Sequence, residues 1–212
     1  MKPSFSFEKS LWKKGIKYVI GIDEVGRGAF AGPLVAAGVV FYPIKKVNKK
    51  LKFLNDINDS KKLTAENRRE LSRKIIQNSF LYHIEEVNIE TINKIGIGKA
   101  NHLIIKRIAL ILQKKLNNKN CFVICDGLPI PKLKNHHAVV HGDCKSITIA
   151  AASIIAKVYR DKLMREYSKK YHNYKFARNK GYGTKSHQEA LRKYGLTEIH
   201  RTSFELTRFL SR

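Results

Sequence analysis

Apolar positions along the chain fall into short continuous runs separated by one clear helical stripe. Tyr18 to Ile22 (YVIGI) is an apolar run that ends at Asp23-Glu24. After a glycine-rich elbow, VGRGAFAGP, a second run from Leu34 to Tyr42 is rich in Val and Ala. Runs of this length bounded by turn residues predict buried strands. Leu81 to Ile89 (LYHIEEVNI), Cys121 to Cys125 (CFVIC) and HAVVHG, which leads to Asp143, predict three more. Between them Thr64 can N-cap a helix through Ile76, with Glu66 in its first turn. Ile104, Ile108, Leu112 and Leu116 recur at i+4, which predicts a helix from about Gly98 to Leu116 with one apolar face. Ser146 opens a longer helix, ITIAAASIIAKVYRDKLMREY, whose Ala-rich face suits close packing on a sheet. In the tail, SHQEALRKYG predicts a helix with a Ser186/Glu189 capping box and Gly195 as its stop.

This order of elements predicts an α/β or α+β layer fold around a mixed sheet. No internal repeat or low-complexity linker divides it. The expected organisation is one sheet domain over residues 1–168, with 169–212 as a small helical extension packed on it, because the tail is too thin in apolar residues for its own core.

Composition changes the picture chiefly through charge. The 212 residues carry 42 Lys and Arg against 17 Asp and Glu, a net charge of +25, which points to a polyanionic partner and first to nucleic acid. Compositional bias toward Lys accounts for part of this excess, since basic tracts are often only a solvated face. Three cysteines, Cys121, Cys125 and Cys144, are too few for a disulfide framework and predict a reducing cytoplasm. The N-terminus lacks a continuous apolar segment, and the stretch from Ala29 to Ile44 is interrupted by Gly32, Pro33, Gly38 and Pro43, so neither a signal peptide nor a membrane span is expected.

The acids are few and oddly placed. Of six Asp, three (Asp23, Asp126 and Asp143) terminate an apolar run, each with a Gly within three residues. One Asp-Gly is readily a turn. If the runs lie side by side with the same ends together, however, Asp23, Glu24, Asp126 and Asp143 converge at the carboxyl edge of the sheet, where open α/β sheets bind ligands. Such a cluster repels itself unless a cation intervenes, and oxygen donors suit Mg²⁺ or Mn²⁺. Adjacent strand residues face opposite ways, so Asp23 and Glu24 share a site only if the strand ends or twists there. His141, two residues before Asp143, is expected on the same strand face and is a candidate for proton transfer. Cys121 and Cys125 read as core, Asp161 as a structural ion pair beside Arg160, and Asp56 and Asp59 as turn or capping residues.

These blocks together resemble ribonuclease HII, the type 2 ribonuclease H family: GIDEVGRGAFAGPLVAAGVVF (21–41), DSKKL (59–63), CDGLP (125–129), HGDCKSITIAAASIIAKVYRD (141–161) and KGYGTKSHQEAL (180–191). The resemblance implies a ribonuclease H-like mixed five-stranded sheet flanked by helices. It implies that Asp23, Glu24, Asp126 and Asp143 are metal ligands, that Gly26, Arg27 and Gly28 feel a ribose 2′-hydroxyl, and that Tyr182 packs at the RNA–DNA junction. Val25, Ala29, Phe30 and Tyr159 depart from the commoner residues. The sister family, ribonuclease HIII, carries an N-terminal substrate-binding domain and typically Glu as the fourth acid, so Asp143 and the short N-terminus favour type 2.

The activity so implied is hydrolysis of RNA–DNA hybrids and cleavage 5′ of single ribonucleotides embedded in duplex DNA. Two divalent ions, Mg²⁺ or Mn²⁺, generate the nucleophile and stabilise the departing 3′-oxygen, leaving 3′-hydroxyl and 5′-phosphate ends. Lys61, Lys62 and Lys145 in predicted loops, and the helix start at Ser146 with its free N–H groups, are expected to hold phosphates. The partners expected are RNA–DNA hybrid and ribonucleotide-containing duplex DNA, with a monomeric protein; the tail SFELTRFL is expected to pack on the domain, a clamp-type contact being the alternative. Rival readings are a non-catalytic basic nucleic-acid-binding protein, ribosomal or architectural, and a related-fold nuclease such as ribonuclease H of type 1 or a junction resolvase. The first leaves the strand-end acids as a liability. The second does not account for the GRG and GYGT blocks.

Overall fold

The computed structural model describes residues 2–43, 49–117, 120–127 and 129–210. Leu128, part of the CDGLP block, lies outside them. The chain opens with helix α1 (Ser6–Lys13), then forms strands β1 (Tyr18–Val25) and β2 (Leu34–Phe41). Helix α2 (Ala65–Asn78) leads to β3 (Leu81–Val87), helices α3 (Ile89–Ile95) and α4 (Ile97–Lys115), and strands β4 (Cys121–Asp126) and β5 (His136–Val139). The long helix α5 (Ile147–Lys170) is followed by the short α6 (Phe176–Asn179) and by α7 (Lys185–Tyr194). Strand order is β3-β2-β1-β4-β5, with β1 antiparallel to β2 and parallel to β4. This is the mixed five-stranded sheet flanked by helices that the resemblance implies.

Alternation along β2 shows why the sheet is covered on both faces. Leu34, Ala36 and Val40 join Ile20, Ile22, Ile104 and Ile108 in a core under α4. Val35, Ala37, Val39 and Phe41 point the other way, into a core with Leu71 and Ile75 of α2 and Ala151, Ile154 and Ile155 of α5. Every residue of β2 is buried, as a central strand with two covered faces requires. Helix α5 lies so close to β1 that a Cβ on Gly21 would stand 2.5 Å from the Thr148 carbonyl carbon. The small residues Ala150, Ala151 and Ala152 permit that approach.

The tail packs through a third cluster, in which Tyr174, Phe176, Leu191 and Ile199 enclose Met164 of α5 and Ala31 of the β1–β2 loop. Residue 169 falls within the last turn of α5, not in a linker. Phe209 of SFELTRFL packs against Phe30, with ring centroids 5.4 Å apart. Among the described residues no helix is long and apolar enough to cross a membrane.

Several boundaries differ from the sequence expectation. Strand β5 ends at Val139, so His141 is not on a strand; it takes a left-handed conformation (φ 55°), and Asp143 sits in a single 3₁₀ turn. Asn88 caps α3 by accepting from the Thr91 N–H, which takes Ile89 out of β3. Helix α7 is capped by Thr184, not by the Ser186/Glu189 box, and begins at Lys185. Gly195 does end it, at φ 73°. Helix α1 had no counterpart in the apolar pattern.

Candidate active site

The site begins where β1 and β4 part. Their parallel ladder ends at Ile22 and Cys125, although β1 continues to Val25 paired with β2 alone. Losing one neighbour opens a gap at the carboxyl edge of the sheet. Asp23 and Glu24 face opposite sides of β1, since their ladder partners Ala37 and Ala36 belong to opposite cores. Both nevertheless line one cavity of about 430 Å³, together with Asp126, Asp143, Gly26, Arg27, Gly28, Ser60, Lys61, Ser153, Lys157 and Tyr182. Of the two expected routes, an end or a twist of the strand at Asp23, the first is not taken: β1 runs on to Val25, and what ends beside Asp23 is its pairing with β4.

Each acid is held differently. Asp23 is 5% exposed, accepts the Glu24 N–H through Oδ1 at 2.8 Å and is also hydrogen-bonded by Ser153 of α5. Asp126, the last residue of β4, accepts the Gly142 N–H at 2.6 Å, which ties it to the turn carrying Asp143. Arg27 Nη1 stands 3.8 Å from Glu24 Oε1, and Lys61 Nζ 3.9 Å from Asp143 Oδ2.

Electrostatics follow from burial and crowding. Burial first, then Glu24, and more weakly Asp126 and Asp143, push the Asp23 carboxyl well above the usual carboxylate range. Glu24 is raised by burial and then by Asp126, against the lowering pull of Arg27. Asp126 is raised by burial, opposed by the Gly142 N–H and reinforced by Asp143. For Lys61, burial alone would lower the ammonium pKa, but the surrounding acids, Asp143 foremost, raise it. Glu24 Oε2 is buried without a partner among the described residues. An orphaned carboxylate oxygen amid mutually repelling oxygen donors fits a hard divalent cation.

Other expected residues are not all at the cavity. Lys62 is exposed and Lys145 half-exposed, and neither lines it. The free N–H groups expected at the start of α5 are absent. Ser146 is fully buried and donates to Glu8 Oε1 at 2.6 Å, the Thr148 N–H and hydroxyl bond the same oxygen at 2.9 and 2.6 Å, and the Ile147 N–H is taken by the Ser4 carbonyl. The protein caps that helix from within, and Ser146 is corrected from phosphate contact to structural cap. His141 is exposed and acts on Asp126 only as a weak electrostatic influence. Asp161 makes the expected structural ion pair, with Lys157 at 2.7 Å. Asp59 holds its turn by accepting the Lys61 N–H, yet one donor atom each from Asp59, Asp143 and Cys144 lie within 4.8 Å of one another.

Sequence reasoning missed Ser60, Ser153 and Lys157 as lining residues. Ser153 and Lys157 are one helical turn apart on α5, so a polar pair on one face of its Ala- and Ile-rich first half was available as a signal. Arg160 is fully buried; its guanidinium lies 5.5 Å from the Tyr182 ring and occupies the space a Cβ on Gly26 (φ 91°) would need. Gly28 has no atom near its missing Cβ, which leaves that approach to a ligand open.

The family profile described as Ribonuclease HII matches residues 20–207. The ribonuclease HII of Acholeplasma laidlawii is 44% identical over 202 residues, covering 95% of this chain and 94% of that protein. That of Clostridium perfringens is 46% identical over 211 residues, covering 96% and 72%. Among solved structures, the ribonuclease HII of Archaeoglobus fulgidus, determined in complex with PCNA, superposes with a TM-score of 0.68 at 25% identity, covering 87% of this chain and 92% of its own.

Proposed function

The chain belongs to the ribonuclease HII family and is a divalent-metal-dependent endoribonuclease, and from that premise we propose that Asp23, Glu24, Asp126 and Asp143 are its catalytic, metal-holding carboxylates. Its substrates are the RNA strand of RNA–DNA hybrids and single ribonucleotides in duplex DNA, cut on the 5′ side. The observation that carries this reading is the shared cavity: four acids from three separate segments line the same space as Gly26, Arg27, Gly28 and Tyr182. When bound, two Mg²⁺ or Mn²⁺ ions supply an activated water and stabilise the leaving oxygen.

The chain's own groups do the rest. The exposed Arg27–Gly28 segment brings backbone against the sugar, and polar backbone groups that pair with a 2′-hydroxyl are left unpaired by deoxyribose, a loss that discriminates strongly. Tyr182, half-buried above Arg160, presents its ring to the following sugar. Lys61 at the cavity rim, with Lys62 and Lys145 further out, draws in the phosphate backbone. The free cysteines accord with a reducing cytoplasm, and the enzyme is read as a monomer within one domain extended by its tail.

The test is cleavage of a duplex holding one ribonucleotide, with Mg²⁺ and with chelator. Metal-dependent incision 5′ of the ribonucleotide, leaving a 3′-hydroxyl, is expected. Nucleic-acid binding without incision would leave the architectural reading standing instead.

A further inference from the structure

Behind the two loops that face the sugar lies a buried polar assembly that touches neither metal site nor solvent. His187 of α7 and His200 are 0% and 1% exposed, with their Nε2 atoms 3.0 Å apart. The Thr197 N–H donates to His200 Nδ1 at 2.8 Å, so that nitrogen carries a lone pair. The proton of a neutral His200 is therefore on Nε2 and is donated to His187 Nε2. His187 then carries its proton on Nδ1, which donates to the Tyr182 carbonyl at 3.0 Å. One arrangement of protons satisfies the whole chain, and it ends on Tyr182. Burial, and then the neighbouring His187, pulls His200 down to about 4, while burial lowers His187 too, so both rings are neutral at pH 7.

The next residue serves the other loop. Arg201 is completely buried and donates through Nε to the Gly32 carbonyl at 2.9 Å and through Nη1 to those of Gly26 and Arg27 at 2.7 and 3.1 Å. Pulled down to about 9 by burial and by Arg160, it still holds its proton at pH 7. The two carbonyls on Nη1 belong to the peptides whose N–H groups are those of Arg27 and Gly28. A cation on the carbonyl side polarises those N–H groups into better donors. The two loops also meet directly, through the Phe30 N–H on the Gly181 carbonyl at 2.8 Å and a bridge between Ala29 and Tyr182.

We propose that His187, His200 and Arg201 are positioning residues that fix Tyr182 against the Gly26–Gly28 loop and thereby set the preference for a ribose-to-deoxyribose step. This rests on the reading of Tyr182 and the glycine loop given above. Adjacent residues of one strap, His200 and Arg201, hold the two halves of the sugar reader at one spacing. Neither touches substrate.

The experiment measures single-turnover cleavage, with Mg²⁺, of a duplex with one ribonucleotide and of a continuous RNA–DNA hybrid. Tyr182→Ala is expected to lower the first rate more than the second. His187→Leu should shift that ratio the same way by about 3- to 10-fold, the scale of one lost hydrogen bond. His187→Asn keeps an N–H toward the Tyr182 carbonyl and should restore most of the ratio. The Tyr182→Ala/His187→Leu double variant should be no worse than Tyr182→Ala alone, because His187 acts through the tyrosine. Arg201→Lys, which loosens the Gly26–Gly28 loop on its side of Tyr182, should lower both single-turnover rates and the first more than the second. Equal losses on both substrates for His187→Leu, or effects that multiply in the double variant, overturn the proposal while leaving Tyr182 as the reader. Equal losses for Tyr182→Ala itself overturn that reading and the proposal with it. Should His187→Leu fail to fold, ring-nitrogen NMR of the wild-type protein decides: Nδ1–H for His187 and Nε2–H for His200 support the relay, and any other state at neutral pH overturns it.

Discussion

Two clusters of like charge stand back to back around Tyr182, and the fold handles them by opposite means. On one side Asp23, Glu24, Asp126 and Asp143 crowd a cavity that reaches solvent, their repulsion relieved only in part by Arg27, Lys61 and hydrogen bonds. On the other, Arg160 and Arg201 are sealed from water, and every hydrogen bond either makes goes to a backbone carbonyl. The cationic pair is compensated mostly by fixed dipoles, with Arg201 Nη2 alone of its nitrogens left without a partner among the described residues, so its charge is part of the fold. The anionic cluster is left under-compensated, so its charge is available to a ligand. A buried charge is thus structural or functional according to how far the protein completes its solvation.

Four measurements break or sharpen this contrast. The largest effect is expected for Asp126→Asn, which should cut turnover by at least about 10²- to 10³-fold, the scale of losing a group that stabilises developing charge. Hybrid binding, followed by fluorescence anisotropy, should survive, because a repulsive charge has been removed from beside the phosphates. Next, Arg201→Met strands the Arg27 and Gly32 carbonyls and leaves that of Gly26 with the Ala29 N–H alone, and should lower Tm by roughly 4–24 °C, at about 1–3 kcal/mol per stranded group and about 2–4 °C per kcal/mol. Mg²⁺ should not rescue it, which separates the two clusters.

The third concerns pH. Asp23, Glu24 and Asp126 have raised pKa values in the fold, so the stability they contribute is full below the ordinary carboxylate range and is lost as pH rises through the raised values. The metal-free protein should lose Tm from mildly acid to neutral pH on this account, and Mg²⁺ should return more of it at neutral pH, where the ligands are ionised. Asp23→Asn should flatten the metal-free profile and raise its neutral Tm by about 2–4 °C. A flat wild-type profile in chelator would contradict the crowding. The smallest effect is expected for Lys61→Ala: binding weakened a few-fold, and the salt slope reduced by about 0.9 if one phosphate contact is lost.

What the sequence disclosed divides along the same line. The acids were legible because they interrupt apolar runs in a chain poor in acid, and the strands because their runs are bounded by Gly and Asp. The helix from Ile97 was legible from Ile104, Ile108 and Leu112, all buried as the stripe required. Arg160 and Arg201 were illegible in the other direction: in a chain of 42 cations, no local pattern marks the two that go inside, because their partners are carbonyls that every residue has. The capping of α5 was hidden for a related reason. Glu8 lies 138 residues from Ser146, beyond the reach of any local capping signal. Asp143 was placed correctly at the sheet edge but by the wrong device, a 3₁₀ turn following a left-handed His141 instead of a strand end.

The Glu8 cap has a temporal side. Its oxygen waits for Ser146 and Thr148, which leave the ribosome about 7–30 s after it at about 5–20 residues per second. Until then α1 has only part of its docking surface, Val19 and Ile124 without Ile149, β1 and β2 lack the helix that covers one of their faces, and Asp23 lacks its Ser153 hydroxyl. Contacts of such long range form slowly once the chain is free, because the ends of a long loop must first meet. A nascent chain bearing Asp23, Glu24 and even Asp126 is therefore not yet a nuclease. Emergence of the segment that Glu8 caps is the step that closes the sheet and arms the cleft together, once synthesis has passed Asp143, the last of the four acids.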